Sequence, residues 1–175
     1  DVSFRTINLY PGEDFYFRFA LVSEKAVYQP ILKFKYDEVF QGILTQKILE
    51  FPLTIQFSEE SDVNFVEKRF SGEFFLREIG RILSPKEGIS RIPVGLDFHI
   101  SAGGEELYYL IKSENRQFGF SSMSMTNLVN AVGVFSSLSH RYINDMKFSK
   151  FSIDSLAYSQ YTKDLGFEPY LKSEQ

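Results

Sequence analysis

Cysteine is absent from the 175 residues, which removes disulfides, thiolate zinc sites and thiol nucleophiles together. A Cys-free chain suits the cytosol and a bacterial periplasm equally, so the absence does not choose a compartment. Tryptophan is also missing, and histidine occurs only at His99 and His140. No apolar run approaches the ~20 residues of a membrane-crossing helix. No cluster of Lys and Arg is long enough to track a phosphate backbone, and the net charge is −4 with a pI near 5.3. Nucleic acid is therefore not an expected partner. Several chemical fingerprints are lacking as well. There is no Gly-x-Ser-x-Gly elbow, since Gly119 to Ser122 lacks the second Gly, and Gly12 and Gly103-Gly104 do not form a phosphate loop. No Asp-x-Asp-x-Asp-Gly calcium loop occurs.

Aromatic residues are abundant, with 19 Phe and 10 Tyr. They favour strands and bury large areas, which points to a β-rich core. The length fits one domain, 1–175, and 43% hydrophobic with 24% charged residues is ordinary globular usage. Phe15, Phe17, Phe19 and Leu21 alternate with Tyr16, Arg18 and Ala20, the period-2 pattern of a half-buried strand over Asp14 to Val22. A second strand is expected over Val27 to Tyr36, forming a hairpin with the first. Asp37 to Lys47 is ambiguous and admits a short helical turn. Leu53, Ile55 and Phe57 make a third alternating run, Phe74 to Leu83 shows no clean period, and Ile82 to Gly88 has the form of a turn.

The next strand is clear, with Val94, Leu96, Phe98 and Ile100 on one face and Gly95, Asp97, His99 and Ser101 on the other. After the turn Ala102-Gly103-Gly104, the alternation of Leu107, Tyr109 and Ile111 reads as its returning partner. Helix and strand compete over 128–138, and Tyr142 to Ile153 reads as strand. About seven to nine short strands with a turn every ~10 residues lead to an expected all-β fold, an antiparallel β-sandwich of immunoglobulin-like or jelly-roll-like type, with at most one or two short helices.

Catalytic chemistry finds little support in this pattern. Asp97 and His99 share a strand face and could donate two metal ligands, but no third is recognisable, so a polar pair on the solvent side explains them. Glu105 and Glu106 are adjacent and would point to opposite faces of a strand, the wrong geometry for a paired acid and base. No enzyme activity, cofactor or metal is expected. Function should then reside in loops on a rigid scaffold. The candidate contact loops are Ser58 to Asn64, Ser84 to Arg91 and Ser113 to Met125, the last carrying Met123 and Met125. The densest acidic cluster is Glu59, Glu60 and Asp62, which also reads as a solvated loop tip.

Phe17-Arg18-Phe19, Ile31 to Tyr36 (Ile-Leu-Lys-Phe-Lys-Tyr), Ile82 to Gly88 (Ile-Leu-Ser-Pro-Lys-Glu-Gly) and Ile92 to Ile100 follow one another in an order that resembles small exported bacterial β-sandwich lipoprotein domains. The resemblance is to those among immunity proteins that neutralise type VI secretion effectors such as phospholipases, and it spans roughly residues 12 to 112. It implies a non-enzymatic protein-binding module that covers the active site of a toxic enzyme. A periplasmic or outer-membrane-anchored location would follow, with a lipid anchor upstream, although a cytoplasmic location fits the residues too. Asp1 in place of Met is expected of a chain trimmed at its start. Under this reading Tyr108, Tyr109, Arg116 and Phe118, on and after the Gly-Gly turn, are the partner-binding anchors, beside the acidic Glu59, Glu60 and Asp62. The alternative is a cell-surface or carbohydrate-binding module in which exposed tyrosines stack on sugar rings.

Overall fold

In the computed structural model, residues 6–20, 25–53, 56–57, 65–114 and 138–170 are described. They form β1 (Thr6–Ile7), β2 (Asp14–Ala20), β3 (Val27–Phe40), β4 (Ile43–Pro52), β5 (Gln56–Phe57), β6 (Phe65–Ser71), α1 (Gly72–Ile82), β7 (Ile89–Gly103), α2 (Glu105–Glu114), β8 (Leu138–Phe148) and α3 (Lys150–Tyr158). The large sheet runs β1-β8-β7-β3-β4, with β5 also on β3, and β2 pairs with β6 in a separate two-stranded sheet. β1 lies parallel to β8 and the other pairings are antiparallel. The chain is thus strand-rich, as its aromatic and alternating composition leads one to expect.

The inner face of the large sheet carries Leu32, Phe34 and Tyr36 of β3, Phe51 of β4, Leu96, Phe98 and Ile100 of β7, and Met146 and Phe148 of β8, all buried. Phe15, Phe17 and Phe70 of the small sheet, Phe75, Leu76 and Ile79 of α1, Leu156 of α3 and Phe167 complete the same core. Phe17 stacks on Phe98 with ring centroids 3.9 Å apart, joining the two sheets. Phe34 is fully buried and meets Phe75, Phe148 and Phe167 at 5.7–5.9 Å. The covering layer combines two strands with two helices and the C-terminal turns, which does not establish a two-sheet sandwich of the immunoglobulin or jelly-roll kind.

Among the described residues three helices stand where at most two were expected. α1 occupies the stretch without a strand period because Phe75, Leu76 and Ile79 fall at helical spacing, and Ser71 caps it by accepting from Phe74 N. α2 replaces the returning strand. Leu107 and Ile111 are four apart as well as at even spacing, and Glu105 and Glu106 at one end with Lys112 at the other suit the helix dipole. α3 ends the strand reading of Tyr142 to Ile153 at Phe148, because the Ser149 side chain accepts from Ser152 N at 3.3 Å and opens a helix. Ser152, fully buried, then accepts from Leu9 N at 2.7 Å and donates to Ile7 O at 3.0 Å, fastening the N-terminal segment.

Pairing also departs from the expected order. β3 has β4 on one side and β7 on the other, so no edge remains for β2, which pairs with β6 instead. Residues 37–47 hold a hairpin rather than a helical turn. Gln41 and Gly42 have φ of 50° and 78°, the two positive values that a tight hairpin turn matching strand twist requires. The 128–137 part of the ambiguous segment lies outside the described residues, and Leu138 begins β8.

Candidate functional site

Three surfaces are built by this arrangement. The first is a groove of about 430 Å³ between the end of β4, the end of β6 and α1. Its apolar lining comes from buried Phe51 and Phe70 with Pro52 and Leu53, and two exposed apolar side chains of α1, Phe74 and Ile82, stand at its rim. The charged residues around it are matched within the protein. Glu78 pairs with Arg81 at 2.9 Å, Glu50 with Lys33 at 2.7 Å, and Arg69 Nε donates to Asp14 at 2.8 Å. The lining is thus an apolar floor with its charged groups engaged in ion pairs of their own.

The second surface is the open face of the large sheet, where neighbouring strands bring both histidines together. His99 pairs in register with Tyr142 and Ser101 with His140. Tyr142 meets His99 edge-on at 4.4 Å and lies roughly parallel to His140 at 6.3 Å. His140 Nδ1 is 2.9 Å from Ser101 Oγ. Burial, helped by the nearby Lys33 cation, pushes His99 below its ordinary pKa, which favours a neutral ring. Asp97 is engaged elsewhere, accepting from Asp145 N at 2.8 Å and pairing with Lys35 at 2.8 Å. The Ser101–His140 contact has the first link of a hydrolytic dyad, yet no carboxylate is hydrogen-bonded to His140 among the described residues, and the pair sits on an exposed sheet. Among the described residues no three His, Asp or Glu gather to hold a metal ion, and no described helix is long and apolar enough to cross a membrane.

The third surface is α2, and it holds two of the expected anchors. Tyr108 is buried, and its hydroxyl accepts from Lys112 at 2.6 Å, which makes it a packing residue rather than a contact residue. Tyr109 is 40% exposed and lies beneath the Lys25 ammonium, which also pairs with Glu105 at 3.0 Å. The tyrosine hydroxyl and Glu105 together raise the Lys25 pKa. Arg116, Phe118, Glu59, Glu60 and Asp62 lie outside the described residues, as do Met123 and Met125.

Arg91 is a residue the alternation rule misplaces. From Ile100 back to Leu96 the even-numbered residues of β7 face the core, which would send odd-numbered Arg91 to solvent. The register shifts where Lys35 pairs with Gly95 and Tyr36 with Pro93, leaving Val94 as the extra residue of a bulge. The phase then inverts, and Arg91 lies opposite Glu38 on the core side, 4% exposed. Its Nε donates to Glu38 at 3.1 Å, and its guanidinium also donates to Leu165 O and Ser84 O. The signal available in sequence was Pro93 and Gly95 inside a strand, residues that mark bulges.

No protein-family model, curated protein or solved structure matches the chain.

Proposed function

We propose that the chain is a non-enzymatic protein-binding module, and that its partner inserts an apolar side chain into the groove between α1, β4 and β6. The observation that carries this reading is the groove itself. Phe74 and Ile82 are 44% and 41% exposed above a floor of buried phenylalanines, with the surrounding charges already paired. Apolar anchors seated in a pocket and ringed by polar groups supply most of the energy of protein interfaces. Inhibition of a secreted toxic enzyme by covering its active site, the role implied by the sequence resemblance, is one form of such binding. A protein partner remains the proposal for Tyr109 as well, at a separate exposed corner.

The test is capture of partners from the native source by the wild-type chain, by a Phe74→Glu/Ile82→Glu variant and by Tyr158→Glu, a control at an exposed apolar residue of α3. A stoichiometric protein lost with the groove variant and kept by the control is the expected result. A partner indifferent to the groove variant refutes the assignment. If that partner is an enzyme, its activity should fall at equimolar module.

Carbohydrate binding draws on a different observation, the exposed Tyr142 flanked by two histidine rings. It requires glycan binding that is lost in Tyr142→Ala and unaffected by the groove variant.

A further inference from the structure

β4 is the last strand of the large sheet on its side, and among the described residues nothing pairs with its outward edge over Ile43 to Glu50. Its pairing with β3 runs from Phe40↔Ile43 to Ile31↔Pro52 without a register shift, so the edge is long and unbroken. On the opposite side of the sheet, β1 pairs only with Lys147 and Phe148 of β8. Natural sheets usually shorten, bulge or charge such an edge. Here the charges are Lys47 and, toward the far end, Glu50, while Ile43, Leu44 and Ile48 are 57–68% exposed along it.

The hairpin geometry fixes which backbone groups are free. Phe40 and Ile43 close a two-residue turn and so exchange hydrogen bonds, as do alternate pairs down the ladder, and Leu53 N still donates to Pro30 O at 3.0 Å in that phase. Leu44, Gln46, Ile48 and Glu50 therefore turn their N–H and C=O groups away from β3.

The sequence of this edge, Ile43-Leu44-Thr45-Gln46-Lys47-Ile48-Leu49, has the same order of apolar and polar residues in both directions about Gln46. We infer that β4 pairs antiparallel with β4 of a second copy, on a two-fold axis at Gln46. Leu44 then lies opposite Ile48 of the other copy, Ile43 opposite Leu49, Thr45 opposite Lys47, and Gln46 opposite itself. Every apolar residue meets an apolar one, and no charge lies directly opposite a like charge. Competing registers lose this match. Centring on Lys47 sets the two lysines face to face and Leu44 against Glu50, and centring on Ile48 sets Leu44 against Pro52.

About six backbone hydrogen bonds form across the axis, two for each of the pairs 44–48, 46–46 and 48–44. A strand pair this short buries less than the roughly 800 Å² per partner of a standard interface. The association is accordingly reversible. The groove is lined by Glu50 to Leu53 at the far end of β4 and by α1 from Phe74 to Ile82, none of them in the paired stretch 43–49, so substitutions at Phe74 and Ile82 leave the pairing intact, and partner capture through the groove does not depend on dimer formation.

Sedimentation velocity across a concentration series from low micromolar to near-millimolar should show a monomer–dimer equilibrium. Gln46→Pro removes only an outward N–H, a change edge strands accept, and should weaken the dimer at least about tenfold, equivalent to ~1.4 kcal/mol. A second measurement is independent of how that variant folds. Because the chain has no cysteine, Gln46→Cys places one thiol on the axis, with Cα atoms about 5.5 Å apart, inside disulfide range. Mild oxidation should crosslink Gln46→Cys and not Thr45→Cys, whose counterpart lies two positions away along the partner strand. A chain that stays monomeric throughout the series, or a dimer in which Gln46→Cys crosslinks no better than Thr45→Cys, overturns the inference.

Discussion

Arg91→Met tests the claim that a bulge, rather than the alternation of apolar residues, places a charge on the core side of β7. The substitution keeps an unbranched apolar stem of similar reach and removes the guanidinium. Lost with it are the 3.1 Å contact to Glu38 and the donations to Leu165 O and Ser84 O. Glu38 is left as a carboxylate whose side chain is 19% exposed, without its cation. Removing one member of a buried pair costs about 3–5 kcal/mol, and the partial exposure of Glu38 places this case near ~3 kcal/mol. For a chain of this length that corresponds to a fall in Tm of roughly 6–12 °C. Urea unfolding at neutral pH, followed by far-UV circular dichroism and by tyrosine fluorescence, reads the loss. The double variant Glu38→Leu/Arg91→Met should recover part of it, because removing both charges leaves neither uncompensated. A loss below about 1 kcal/mol for Arg91→Met, the range of an exposed pair, refutes the argument.

Gly166 has a φ of 75°, and a Cβ there would lie 2.6 Å from Ile89 O, so Gly166→Ala should cost about 1–3 kcal/mol in a thermal unfolding assay. Wild-type stability would show that the C-terminal turn is not held against β7. The Lys35 ammonium, by its hydrogen bond and charge, holds the Asp145 carboxyl below its ordinary value of 3.8. Burial works against the charged form of Lys35, but its pairs with Asp145 and Asp97 outweigh this and leave its own pKa raised. A carboxyl lowered by folding contributes stability fully above its unfolded value and loses it as pH falls through the lower folded one. Lys35→Met should therefore flatten the fall in urea midpoint below about pH 4, and an unchanged acid limb would show that the pair contributes nothing.

Much of the strand content was determined by the sequence, because burial on a sheet face writes a period of two directly into Phe15 and Phe17, Leu32 and Phe34, and Leu96, Phe98 and Ile100. The absence of a catalytic fingerprint was likewise legible before any coordinates, since catalytic motifs need particular residue types at fixed spacing. Short segments were less legible: Leu107 and Ile111 satisfy both the strand and the helix period, and only the packing of α2 against β3 and β7 chooses. Strand order was decided by tertiary structure alone, since β2 could pair with β3 by proximity, and loses because β4 and β7 occupy both edges of β3. The groove joins β4, β6 and α1, and the histidine cluster joins β7 to β8, so neither exists until distant segments meet. Arg91 shows the limit most sharply. A period of two assigns a face only while the register is unbroken, and one extra residue at Val94 turns a surface arginine into a buried one.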